Sequence, residues 1–371
     1  MDFPSKPLTQ LLGSNDENRK ADNPLFSPPG PVHALTYSSS PSTYILTGSS
    51  DRTIRLYNPS RPCPTPSSSS TPLSPPKPTQ LIQSYSAHGY EVLSLTVASD
   101  NATFASAGGD RAVFLWDVAT AKTLRRFQGH TARVNAVTFA AQGDSVLVSG
   151  SFDASVRLWD VRSQSGKPVM VLDDARDSVT CVLVSREGGG GRGGGGMGEY
   201  EVLAGSVDGR VRCYDLRFGR VETDVIGASV TSLERTRDGK GVLVGGLDSC
   251  VRLMDREGGG LLKSYKGAGW RNEEFRLRSV FGKSERWVLC GNEDVKGADG
   301  EVVVWDTLSG EVVERVRVEG SKVEAKRKIG TDGKERERKN VVSCLAWKDG
   351  VRGDQWCCAG TDGIVTIFGP P

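Results

Sequence analysis

Histidine is scarce in this chain: 371 residues hold three, at positions 33, 88 and 130, too few for a histidine-based metal cluster. The eight cysteines, at 63, 181, 213, 250, 290, 344, 357 and 358, form no CxxC pair and have no histidine partner nearby, so zinc and dithiol motifs lack a basis. No charge of one sign dominates. Lys+Arg number 47 against 45 Asp+Glu, a net of +2, and bulk electrostatics therefore demands neither nucleic acid nor an anionic membrane. No apolar run approaches the roughly 18 residues of a membrane span, and the opening MDFPSKPLTQLLGSNDENRK has no apolar signal-peptide core. These absences predict a soluble cytoplasmic and nuclear protein without cofactor, its thiols reduced and acting as small apolar residues.

What the chain does have is repetition. SAGGDRAVFLWD (Ser106 to Asp117) and SGSFDASVRLWD (Ser149 to Asp160) state one pattern twice, 43 residues apart: a small-residue turn with an Asp, then Trp-Asp six residues on. VNAVTF, SVLVS and SVRLW are short β-branched runs separated by turn residues, and read as antiparallel strands. A period of about 40 to 45 residues with Gly-His ahead and Trp-Asp behind marks a four-stranded propeller blade. The pattern resembles the WD-repeat family.

The Asp-to-large-residue offset of six recurs at Asp51/Tyr57, Asp110/Trp116, Asp153/Trp159, Asp208/Tyr214, Asp248/Met254, Asp299/Trp305 and Asp362/Phe368, which predicts an all-β, seven-bladed propeller as a single domain over 1–371. Three insertions stretch the spacing. Residues 60–79 include 16 Ser, Pro or Thr, 187–199 include nine Gly, and 321–339 are charged and polar; each composition predicts a flexible segment. Subtracting them brings intervals of 59, 55 and 63 residues to 39, 42 and 44. The chain ends just after the third strand of blade seven. PLTQLL (Pro7 to Leu12) is therefore expected to supply the fourth strand and close the ring, removing an open edge.

His88, Ser106, Asp110, Trp116 and His130, Ser149, Asp153, Trp159 form two sets of the four side chains that make a buried hydrogen-bonded row in WD-repeat blades. A Ser-His-Asp set also contains the parts of a nucleophilic triad. Its recurrence with the blade period, and a Trp N–H directed at the same hydroxyl, assign it to structure. No catalytic set remains, so no enzyme is expected. His33 lies inside the first inner strand with no evident partner. The Gly-rich 187–199 lacks the Gly-Lys-Ser/Thr ending of a phosphate loop.

Function is then expected at the loops before each inner strand and the turns before each third strand, around one channel mouth. Tyr90, Glu91, Arg133, Phe152, Arg176, Asp177, Trp270 and Arg271 collect there, and aromatics and arginines are enriched at interface hot spots. The run from Lys322 to Lys339 carries eight basic and four acidic residues; it reads as a solvated loop, and direct nucleic-acid contact is not expected.

The stretch SAHGYEVLSLTVASDNATFASAGGDRAVFLWDVATAKTLRRFQGHTARVNAV, with LDDARDSVTCVLVS, VLAGSVDGRVRCYDLRFGR and LDSCVRLMD, resembles the mitogen-activated protein kinase organiser family of WD-repeat proteins. HGYEV and LDDARDSV carry the likeness most, because they depart from the repeat consensus at surface loops. The resemblance implies a non-enzymatic scaffold, monomeric within larger complexes, that gathers kinase-cascade components. It also implies association with splicing factors in the spliceosome. A third reading comes from Trp159-Asp160-Val161-Arg162 and Tyr214-Asp215-Leu216-Arg217, similar to the WDxR boxes of cullin-ligase substrate receptors, with Arg162 and Arg217 as the adaptor contacts.

Overall fold

A computed structural model describes residues 3–5, 7–12, 30–60, 81–140, 142–184, 201–295, 299–320, 328–329, 335–336, 340–349 and 354–369. Seven four-stranded antiparallel sheets stand around a channel. Their inner strands are Val32–Tyr37, Val92–Val97, Val134–Ala140, Val179–Val184, Val230–Arg235, Ser279–Gly282 and Val342–Lys348. In blade two the order outward is Thr103–Gly108, Ala112–Asp117, then the polar, largely exposed Thr123–Gln128. The insertions at 61–79 and 187–199 lie outside the described residues. Within 321–339 only Lys328–Ile329 and Glu335–Arg336 are described, and they pair antiparallel.

There is no single core. Each junction between neighbouring blades has its own apolar cluster. Leu46, Ile54 and Tyr85 of blade one meet Val92, Phe104 and Trp116 of blade two, and Phe127 meets Trp159 and Phe139 across the next junction. Alternating strand residues face opposite sides of a sheet, so the continuous burial of second strands such as Ile45–Ser49 and Gly241–Gly246 follows from having a blade on each face. The third-strand residues Tyr57, Trp116, Trp159, Tyr214, Trp305 and Phe368 are all buried.

Six of the seven inner strands carry a register shift at their second residue: His33, Leu93, Asn135, Thr180, Thr231 and Ser343. A bulge frees that residue from the ladder and re-aims it. Here it points several polar side chains at the next blade. Asn135 Nδ2 donates to the Val179 carbonyl (2.8 Å) and Thr180 Oγ1 to that of Val230 (2.7 Å). Beside the bulges, the Ser232 and Ser279 hydroxyls meet across a blade junction at 2.8 Å, and the carbonyl of the bulge residue Ser343 accepts the Arg278 amide at 3.0 Å. His33, partnerless in the sequence, is one of these bulge residues; its Nε2 lies 2.7 Å from Ser50 Oγ.

The ring closes as the sequence predicts. Pro7–Leu12 pairs antiparallel with Ile364–Phe368, from Pro7 opposite Phe368 to Leu12 opposite Ile364. Ahead of it, Phe3 is buried against Trp287 (5.0 Å between ring centroids), Trp356 (5.7 Å) and Trp347 (6.0 Å). Trp356 Nε1 donates to the Pro4 carbonyl at 2.9 Å. The start of the chain is thus wedged between blades six and seven.

Candidate interaction site

The two predicted rows are assembled as structural networks. Trp116 Nε1 donates to Ser106 Oγ (2.7 Å), which lies 2.7 Å from His88 Nε2, and His88 Nδ1 is 2.5 Å from Asp110 Oδ2. Burial lowers the His88 pKa against the opposing pull of Asp110, so the ring is neutral, with Nε2 accepting and Nδ1–H donating. Trp159, Ser149, His130 and Asp153 repeat the geometry at 2.8, 2.8 and 3.0 Å. Both serines are fully buried, and a hydroxyl inside a blade meets no substrate. His130→Ala should cost about 1–3 kcal/mol, the range for orphaning buried partners; an unchanged melting temperature would remove the network assignment.

Blades without the histidine hold the turn Asp by another device. Arg212 Nη2 lies 2.6 Å from Asp208 Oδ2, and its Nη1 3.0 Å from Ser206 Oγ. Asp51 with Arg55 and Ser49, and Asp248 with Arg252, follow the same plan. Burial would raise the Asp208 carboxyl, but bonds from Arg212, Ser206 and the Arg176 amide outweigh it and hold it down at about 2. Sequence reading missed this substitution, although its signal was present as an Arg four residues after each Asp.

Blade six departs further. Asn292 Oδ1 accepts the Arg271 amide, and the Glu293 carboxylate accepts the amides of Glu273, Glu274 and Phe275. Asp299, matched by the sequence offset, instead lies 3.6 Å from the exposed Arg317. In blade seven burial pushes the Asp362 carboxyl up to about 6, against bonds from the Ile364 amide and Asn340 Nδ2. A carboxyl raised in the fold binds its proton there more tightly than in the unfolded chain, so its contribution falls as pH rises from about 4 to 6. The Asp208 contribution runs the other way, lost as pH falls from about 4 to 2. Asp362→Asn should abolish the loss between pH 4 and 6 and raise the melting temperature at pH 7. Its amide can also serve Asn340 Oδ1, which has no partner. Parallel pH–melting curves for the two proteins would contradict this.

The candidate partner residues sit at one mouth. Strand order puts the loop before each inner strand beside the turn before each third strand: the Phe152 amide donates to the Arg133 carbonyl at 2.9 Å. Arg133 lies over the Phe152 ring, 4.9 Å from its centroid. Phe152 is 52% exposed and Tyr90 64%. Glu91 is half-buried, and Arg176 and Asp177 are exposed. Asp177 Oδ1 accepts the Ser178 amide and Arg176's amide donates to Asp208, so the loop is anchored partly through the Asp177 carboxylate, with Arg176 exposed. Arg271 is exposed, 3.5 Å from Glu273.

Trp270 does not belong with them. It is 5% exposed, packs edge-on against Trp305 at 5.0 Å and donates Nε1 to the Gly291 carbonyl. Blade six lacks the histidine that packs on the third-strand Trp elsewhere, and Trp270 fills that place; burying an indole with its N–H bonded favours this over exposure. Arg162 and Arg217 are both exposed, in turns at the opposite end of the ring from the mouth, each with its amide bonded to the preceding Trp-Asp or Tyr-Asp carboxylate. The seven described cysteines are free and buried, and burial raises their thiols, to about 12 for Cys213 and Cys357. Among the described residues no three His, Cys, Asp or Glu side chains converge as metal ligands, and no helix is long and apolar enough to cross a membrane.

Seven radial blades, two of them carrying Trp-Ser-His-Asp rows, define a WD-repeat β-propeller. Residues 23–58, 79–117 and 121–160 match the family "WD domain, G-beta repeat". WD repeat domain-containing protein 83 of human is 38% identical over 281 residues, covering 76% of this chain and 77% of the relative. The Xenopus tropicalis protein of that name is 33% identical and covers 86% and 88%, and a Dictyostelium discoideum homologue is 29% identical over 77% and 85%. The chain belongs to the WD repeat domain-containing protein 83 family.

Proposed function

We propose that this propeller is a protein-interaction scaffold that organises mitogen-activated protein kinase cascade components, binding them at the mouth formed by blades two to four. The observation that carries the reading is the exposed Tyr90 beside the Arg133–Phe152 pair, displayed on blades whose own polar groups are consumed by the buried rows. Large aromatics and arginines on a rigid rim supply hot-spot contacts at low ordering cost. The kinase-cascade assignment rests on the likeness of the HGYEV and LDDARDSV loops to the organiser family. The same likeness supports a second role beside splicing factors in the spliceosome. A cullin-ligase receptor would use the other end of the ring, where Arg162 and Arg217 are exposed. Affinity purification from cells separates the three. Recovery of kinases supports the proposal, recovery of splicing factors alone transfers it to the second role, and an adaptor lost on Arg162→Ala/Arg217→Ala would establish the third.

A further inference from the structure

Arg276 precedes the sixth inner strand, and its side chain crosses the channel. Nε donates to the Thr231 carbonyl of blade five (3.2 Å) and Nη1 to the Asn135 carbonyl of blade three (3.0 Å). Both acceptors belong to bulge residues, whose backbone the ladder leaves unpaired. Those two bonds satisfy donors, but carbonyls are neutral and leave the positive charge uncompensated. Among the described residues Arg276 has no carboxylate within ion-pair distance, whereas neighbouring Arg278 has Glu234 at 3.8 Å. Loss of solvation lowers the Arg276 pKa, with repulsion from Arg278 and Arg133 acting in the same direction. The side chain is exposed to solvent. A guanidinium stays protonated there, and one that faces solvent with no carboxylate beside it is able to take an anion. Burial lowers the His33 pKa, with Glu91 opposing the shift and Arg276 adding to it; Glu91 and Glu234 are the acids these observations place near the site.

We propose that the channel is an oxyanion site, in which Arg276, still holding the Asn135 and Thr231 carbonyls, binds one phosphate or carboxylate group through its remaining N–H donors. Arg133 at the mouth and Arg278 beside it add long-range attraction. Charge-assisted bonds from a planar guanidinium to an oxyanion are the strong kind. This site stands whether or not the mouth binds kinases.

The test is thermal melting of the full chain at pH 7 in 0–20 mM inorganic phosphate, with ionic strength held constant by chloride. The expected result is a rise of about 2 °C that saturates, as binding to the folded state requires. It should vanish in Arg276→Gln, whose carboxamide can still donate to one of the two carbonyls. A rise that is linear and equal in both proteins reports exclusion of phosphate from the general surface and overturns the proposal, as does no rise. Calorimetric titration of the unaltered protein needs no variant: one saturable site supports the proposal, while no heat, or several equivalent sites, contradicts it. Where phosphate displaces a captured protein, the bound group comes from that partner's acidic or phosphorylated side chain; where both bind together, it is a free anion.

Discussion

Phe3→Ala is expected to destabilise the propeller by about 3–5 kcal/mol, the cost of emptying a well-packed aromatic site. Phe3 touches three tryptophans drawn from two blades, Trp287 in blade six and Trp347 and Trp356 in blade seven, so its loss opens a junction rather than a single blade. Deleting residues 1–12 should do more. It also removes the partner of Ile364–Phe368 and the acceptor of Trp356 Nε1, leaving blade seven with three strands and an unpaired edge. Unpaired edges pair with other chains. The deletion variant should therefore associate in a concentration-dependent way on size-exclusion chromatography with light scattering, and melt well below the intact chain. A monomer with an unaltered melting temperature would show that the wedge and strand contribute nothing to closure.

Arg212→Ala should be nearly as damaging, about 3–5 kcal/mol, because removing one partner of a buried pair strands the other charge. Arg212 is 3% exposed, and it holds both Asp208 and Ser206. Arg252→Ala provides the contrast. The Asp248–Arg252 pair has side-chain exposures of 34% and 18%, and solvent weakens such pairs, so its loss should cost about 1 kcal/mol or less. Urea titrations of both variants test the ordering. Equal losses would mean that burial does not set the importance of the Asp–Arg device.

How far the sequence carried depends on which interactions recur. The strands, the number of blades and the closing segment Pro7–Leu12 were legible because a blade needs alternating apolar residues, a turn Asp and a large third-strand residue in fixed order. The His-Ser-Asp-Trp rows were legible for the same reason. Trp270 was misplaced because, like Tyr90, it is an aromatic in the segment leading to an inner strand; the missing histidine of blade six, whose place against Trp305 it takes, separates a core residue from a surface one. Asp299 satisfied the spacing by coincidence while Asn292 and Glu293 did the holding. The bulges and the Arg276 crossing have no local signature, since they depend on which carbonyls the ladder leaves free and which blade faces which.

The repeated His, Ser, Asp and Trp of blades two and three hold the ring, and the residues between them are the ones proposed to meet the partner. Two variants and two readings test it. His130→Ala should lower the melting temperature, whereas Tyr90→Ser with Phe152→Ser, both exposed, should leave it within about 1 °C, as surface changes do. Affinity purification at a temperature where all three proteins are folded then decides. Kinase-cascade partners are expected to be retained by His130→Ala and lost by the double variant; full recovery with the double variant would contradict the proposed division between ring-holding and partner-binding residues.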